Sequence, residues 1–328
     1  MWVTTAEAVE MDVSPSLLPG NLSRAGDYVA FASMEDVVVF NTTTNAKPNK
    51  VSLVEKTVVY QALVCAFERE QLLVIANESG CQIWDLLGEH LYFSLALTKE
   101  PPSGSEGEYH FCRGICAETT TKSILVGSSL GKLYMLSQTA AGEAKGRDHS
   151  EFHLQSTVKG HNAAVQAVAT NGSAKEPLAV SSDDDGTLIV WGVEPSGLEK
   201  KQVIQGTSFP TTSLRCFQTR WVLTGDTTGK LRLVDMHDGV ISADVGAHSR
   251  HLSALDVHND RVATVGEDGY LHVWKLKDDA GATGLRFELE HSHRAGDDLM
   301  TGVAFASSTK ILTTSYDSTL IKAWVDAA

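Results

Sequence analysis

The chain has no run of apolar residues long enough to cross a bilayer as a helix. It also lacks the basic-then-apolar opening of a secretory leader, because its first twelve residues include Glu7, Glu10 and Asp12. Cysteine is scarce: five occur in 328 residues, at positions 65, 81, 112, 116 and 216, an odd number without the spacing of a disulfide framework. These absences predict a chain of the reducing cytoplasm that neither spans nor enters a membrane. Asn21, Asn41, Asn77 and Asn171 match the glycosylation pattern, but turn chemistry explains them better in such a compartment. Basic residues are outnumbered, 27 Lys and Arg against 41 Asp and Glu for a net charge of −14, and they form no stripe. A phosphate backbone rewards basic stripes, so nucleic acid is not an expected partner. The pairs Lys200-Lys201 and Arg250-His251 read as solvated turns. There is no glycine-rich phosphate loop followed by lysine, no nucleophile elbow and no defensible pair of catalytic carboxylates. No cofactor is implied, and an enzymatic reading has no residue to carry it.

What the chain does have is internal repetition. Between Gly160 and Trp191 a Gly-His pair precedes an alternating stretch, Val165 to Thr170. A polar Asn-Gly-Ser turn, a second run from Leu178 to Ser181, an acidic turn at Asp183 to Gly186 and a third run from Leu188 to Trp191 follow. Alternation with period two separated by turn residues predicts strands joined by hairpins. A second copy runs from Ala247 to Trp274, with His248, Thr264, Asp268, Gly269 and Trp274 in the same order. Weaker copies end at Phe40, Trp84, Leu136, Val234 and Trp324, and the Gly80–Trp84 interval is one residue shorter than in the strong copies. That makes seven copies at a spacing suited to four-stranded units.

Both strong copies resemble the WD-repeat family. In that family the His, the Ser or Thr, the turn Asp and the Trp form a hydrogen-bonded network inside one blade. The resemblance assigns these structural roles to His161, Ser181, Asp185 and Trp191, and to His248, Thr264, Asp268 and Trp274. The order GH…DDDGTLIVW, GAHSRHLSALD, VGEDGYLHVWKL, an EHSH segment and a final copy containing SYD is similar, more narrowly, to the WD repeat-containing protein 54 family. The implied fold is an all-β, seven-bladed WD-repeat β-propeller, one domain over residues 1–328. Because the chain stops just after Trp324, residues Trp2 to Val9 are expected to supply the last blade's missing strand and close the ring. Residues 99–108 and 140–150 read as exposed insertions between blades, and residues 277–284 as a turn-rich connection before the last copy.

Three constellations invite a metal reading, and each has a plainer one. Cys112 and Cys116, four apart on a strand, would share an apolar face. One of His291 and His293 would be the last copy's counterpart of His161 and His248. Asp183, Asp184 and Asp185 before Gly186 would form a tight turn rather than a calcium loop. The function implied is that of an intracellular protein-interaction scaffold or adaptor without catalytic activity. An architectural subunit of a cytoskeletal or ciliary assembly is the alternative, and a propeller enzyme a distant second. The residue before the turn Asp often touches partners in WD-repeat proteins. Here those residues are Asp184 and Glu267, which predicts a basic or polar partner segment.

Overall fold

The computed structural model describes residues 2–327, apart from 6–8, 45, 54, 69, 98–109, 140–150 and 279–283. The expected insertions at 99–108 and 140–150 therefore lie outside the described residues, as does most of the expected connection at 277–284. The described residues form seven antiparallel sheets. Six are four-stranded blades built in chain order from residues 23–52, 59–96, 112–159, 165–204, 211–246 and 252–294. The seventh takes three strands from residues 300–326 and completes itself with the N-terminus.

Closure follows the expected route. Trp2–Thr4 pairs antiparallel with Leu320–Asp326, in the register Trp2↔Asp326 and Thr4↔Trp324, and Val9–Glu10 pairs with the same strand further along. The indole of Trp2 is 2 % exposed. It meets Phe305 edge-on at 6.3 Å between ring centroids, and the Arg261 guanidinium lies 5.9 Å from the centre of its ring. Arg261 also reaches Asp326 at 3.1 Å, so one cation binds the first strand to the last.

Blade faces are apolar on both sides because each blade is sandwiched between two others. The result is seven separate cores, one in each blade–blade interface. Fully buried Val, Ile and Leu residues on the two middle strands supply most of the contact. Each such side chain stabilises the fold by about 1.5–3 kcal/mol relative to exposure.

The innermost strand of every blade from the second to the seventh carries a β-bulge near its start. A bulge inserts one residue and reverses the side-chain alternation beyond it. In the third blade it falls between Arg113 and Ile115, at Gly114, whose φ of 71° is the left-handed conformation glycine tolerates. The bulge overturns the expectation that Cys112 and Cys116 share a face: Cys112 packs in the core between blades two and three, Cys116 in the core between blades three and four. Burial pushes the Cys112 thiol up to about 12 and the Cys116 thiol well above its usual value.

Candidate functional site

The fourth blade holds a buried polar chain. The Trp191 indole N–H donates to Ser181 Oγ at 2.8 Å, and Ser181 Oγ lies 2.6 Å from His161 Nε2. His161 Nδ1 lies 2.9 Å from Asp183 Oδ2. Because a carboxylate only accepts, the proton of the neutral imidazole sits on Nδ1, so Nε2 accepts the serine hydrogen while the serine oxygen accepts from the indole. Burial favours the neutral ring and outweighs the opposing pull of Asp183, so the His161 pKa is lowered. The sixth blade repeats the arrangement with Trp274, Thr264, His248 and Asp268, at 3.0 Å for the indole, 3.0 Å for the hydroxyl and 2.9 Å for the carboxylate.

The acid in the fourth blade is thus Asp183, not the predicted Asp185, whose side chain is exposed. The reason is local geometry. Asp183 ends its strand beside the buried imidazole, and its second oxygen accepts the backbone N–H groups of Asp185 at 3.1 Å and Thr187 at 2.9 Å. In the sixth blade the matching strand position is Gly266, paired with Leu252 as Asp183 is with Val165, so the carboxylate two residues later, Asp268, takes the histidine instead. The position of Asp183 recurs as a turn clamp. Asn77 accepts the N–H groups of Ser79 and Gly80, both at 2.8 Å, and Asp226 accepts that of Thr228 at 2.8 Å. In the fifth blade Arg232 replaces the histidine and pairs with Asp226. Burial opposes the ionised form of Asp226, but the bonds from Thr228 and Arg232 prevail and lower its pKa.

Neither His291 nor His293 is a counterpart of His161, contrary to expectation. Both lie in the outer strand Leu285–Arg294 of the sixth blade rather than in the loop that enters the seventh. Where Ala247 donates its N–H to Gly229 O just ahead of His248, Ala295 donates to Gly269 O, which places Gly296 at the histidine position. His293 instead meets the Trp324 ring edge-on at 4.9 Å. Trp324 keeps the hydroxyl half of the network alone, its indole donating to Thr313 Oγ1 at 3.0 Å.

Asp184 and Glu267 occupy equivalent places on one face of the ring. Each donates its backbone N–H to the carbonyl of the residue just before its blade's innermost strand, Ala164 at 3.1 Å and His251 at 3.0 Å. The same bond picks out Glu78, Ser129, Thr227 and Tyr316. In the first blade the hairpin tip is Met34, whose N–H goes to Ser16 Oγ at 2.6 Å and whose carbonyl accepts from Val59 at 2.9 Å. Met34 is 67 % exposed and Tyr316 44 %. Met34 and Tyr316 were missed because their hairpins lack the Asp-Gly pair that marks the strong copies. The two predicted acids differ in availability. Burial raises the Asp184 pKa, against the lowering effects of Gln166, which donates to it at 2.6 Å, and of Arg113. Glu267 lies 3.3 Å from the exposed His251 ring.

A model of the WDR54 family matches residues 27–326. The chain belongs to the WDR54 family. WD repeat-containing protein 54 of Mus musculus is 26 % identical over 271 residues, covering 80 % of this chain and 77 % of the relative. The Homo sapiens protein is 25 % identical over the same shares. WD repeat-containing protein 55 of Rattus norvegicus is 27 % identical over 58 % of this chain and 46 % of its own length. Among solved structures, a chain of a crystal structure of the mitotic checkpoint complex superposes with a TM-score of 0.74 at 15 % identity, covering 98 % of this chain and 96 % of its own. At that identity the likeness shows a shared fold. In this WDR54-family chain the His–Ser–Trp and His–Thr–Trp chains lie buried inside blades four and six, whereas the ring of turn residues lies at the surface, half-buried except at Met34 and Tyr316.

Proposed function

We propose that this WDR54-family chain is a non-catalytic adaptor of the cytoplasm that binds a protein segment across the face carrying Met34, Glu78, Asp184, Glu267 and Tyr316. The observation that carries the reading is the composition of that ring. Blades seven and one, which are neighbours, present Tyr316 and Met34. The hydrogen bonds of Met34 hold the exposed Leu17 and Val58 beside it, since Ser16 and Val59 are its partners. Acidic Glu78 and Glu267 flank this apolar arc. A segment that combines an apolar anchor with basic residues complements both, the anchor supplying affinity and the charges supplying register. Five free thiols, four of them buried, suit a reducing compartment.

Affinity capture with the intact chain beside a Met34→Asp, Glu267→Arg double variant tests the reading, after melting shows that both are folded alike. Partners held by the intact chain and lost from the variant support it. An unchanged set of partners moves the site to the opposite face or the rim.

A further inference from the structure

The protein carries a net charge of −14, yet its central channel concentrates cations. A cavity of about 450 Å³ lies on the ring axis, walled by the innermost strands and lined among others by Arg24, Arg215, Asp256 and His258. A smaller pocket adjoins it where the innermost strands begin, lined by Gln61, Arg113, Gln166 and again Arg215. The three arginines come from blades one, three and five, so they approach from three sides of the axis.

Two of these guanidiniums are joined through one backbone unit. Arg24 Nη1 donates to Phe305 O at 3.1 Å, Phe305 N donates to Asp256 Oδ2 at 2.8 Å, and Asp256 Oδ1 lies 3.4 Å from Arg215 Nε. Arg215 Nη1 also donates to Leu214 O at 2.9 Å, which leaves its Nη2 outside these bonds. Arg24 Nε is buried and has no acceptor among the described residues. A buried donor without a partner is rare and calls for a ligand or an ion. Arg113 has electrostatic neighbours but no side-chain hydrogen bond or ion pair to a described residue. Burial lowers its pKa, and the attraction of Asp184 and Tyr60 only partly offsets that. A guanidinium stays charged even so, and a half-buried charge without a paired partner is costly. Against three arginines the lining offers one carboxylate, Asp256, while Asp184, which attracts Arg113 from outside the lining, is already bound by Gln166.

We propose that the channel is a binding site for a small soluble polyphosphate, a compound with at least two linked phosphate groups, lying along the axis between Arg113 at the mouth and the Arg215–Arg24 pair below it. The volume is within the range of small-molecule sites. Guanidinium forks are the preferred partners of phosphate oxygens. A single carboxylate needs one fork, whereas guanidiniums at successive depths match charge spread along a ligand. Gln61 keeps its amide nitrogen available at the mouth because its oxygen is the atom engaged, accepting from Gly114 at 2.9 Å and Ile115 at 3.0 Å.

Isothermal titration of the full chain with inorganic pyrophosphate, in chloride buffer at fixed ionic strength and without divalent cations, reads the site directly. The expected result is saturable one-to-one binding, weakened at least tenfold by Arg113→Gln, while Lys200→Gln on an outer strand binds as the parent chain does. Arg113→Gln should fold normally, since it breaks no hydrogen bond, and its melting curve checks this. Arg215→Lys provides a second reading that keeps the charge but loses the fork, with a several-fold loss expected. No saturable binding to the parent chain, or equal affinity in Arg113→Gln and Lys200→Gln, overturns the proposal.

Discussion

Asp183 holds His161 by a hydrogen bond of 2.9 Å between Oδ2 and Nδ1, while its other oxygen closes the hairpin at the end of the same strand. One carboxylate thereby fixes both the loop that enters the blade and the turn within it.

The two neighbouring aspartates should accordingly respond differently to substitution. Asp183→Ala leaves a buried imidazole N–H and two turn N–H groups without their acceptor, so it should cost about 2–4 kcal/mol. Asp185→Ala removes an exposed side chain and should stay within about 0.5 kcal/mol of the parent. Urea unfolding of both variants checks the assignment, and equal losses would return the role to Asp185.

Ring closure yields a second expectation. Trp2→Ala removes a buried indole from the core between the sixth and seventh blades and should destabilise by about 3–5 kcal/mol. Deleting residues 1–5 should do more, since the strand Leu320–Asp326 would then present an unpaired edge. Light scattering of the truncated chain should show association that the point variant lacks.

Acid should act in two stages. Burial, reinforced by the nearby His248, pushes His272 down to about 4, against the opposing influence of Asp268. In the unfolded chain a histidine titrates near 6.5, so the unfolded state takes up the proton first and stability falls as pH drops from about 6.5 to about 4. The ring is only partly buried, and about 1–2 kcal/mol is the expected loss after allowing for solvent screening. Lowered carboxylates act in the same direction, over a lower range of pH. Asp226 and Asp268 both overcome burial through their hydrogen-bond partners, chiefly Thr228 and Arg232 for the first and His248 for the second. Their stabilisation is present above the ordinary carboxylate value and disappears below it. A chemical-denaturation series from pH 7.5 to 3 should show both slopes, and His272→Gln should flatten the upper one.

The aromatic and apolar residues that end each third strand were enough to count blades, because Phe40, Trp84, Leu136, Trp191, Val234, Trp274 and Trp324 all sit at matching depth in the middle of a sheet. Burial on both faces forces such residues into a visible rhythm. The finer errors have one physical origin. Whether Cys112 and Cys116 share a face depends on a single inserted residue at Gly114, which alternation does not register. Which of three consecutive aspartates meets His161 depends on where a strand ends, and chemical type does not separate them. His291 and His293 were misplaced for a similar reason: the outer strand of the sixth blade runs on to Arg294 and leaves a short entry to the last blade. The channel arginines were invisible because residues 24, 113 and 215 lie far apart in the chain and converge only when the ring closes.

Pairing Trp2–Thr4 with Leu320–Asp326 also sets an order of events during synthesis. The strand Trp2–Thr4 is made before all seven blades yet is among the last to find its place, since its neighbour Leu320–Asp326 is made after the other strands of those blades. Blades one to six can add to one another as they emerge, each new sheet covering the apolar face left by its predecessor. Throughout that time the indole of Trp2 has no core to enter, and the outer faces of the first and last finished blades stay uncovered. A pause or a premature stop before Leu320 therefore produces an open arc of otherwise complete blades, with two adhesive ends that can join another such arc.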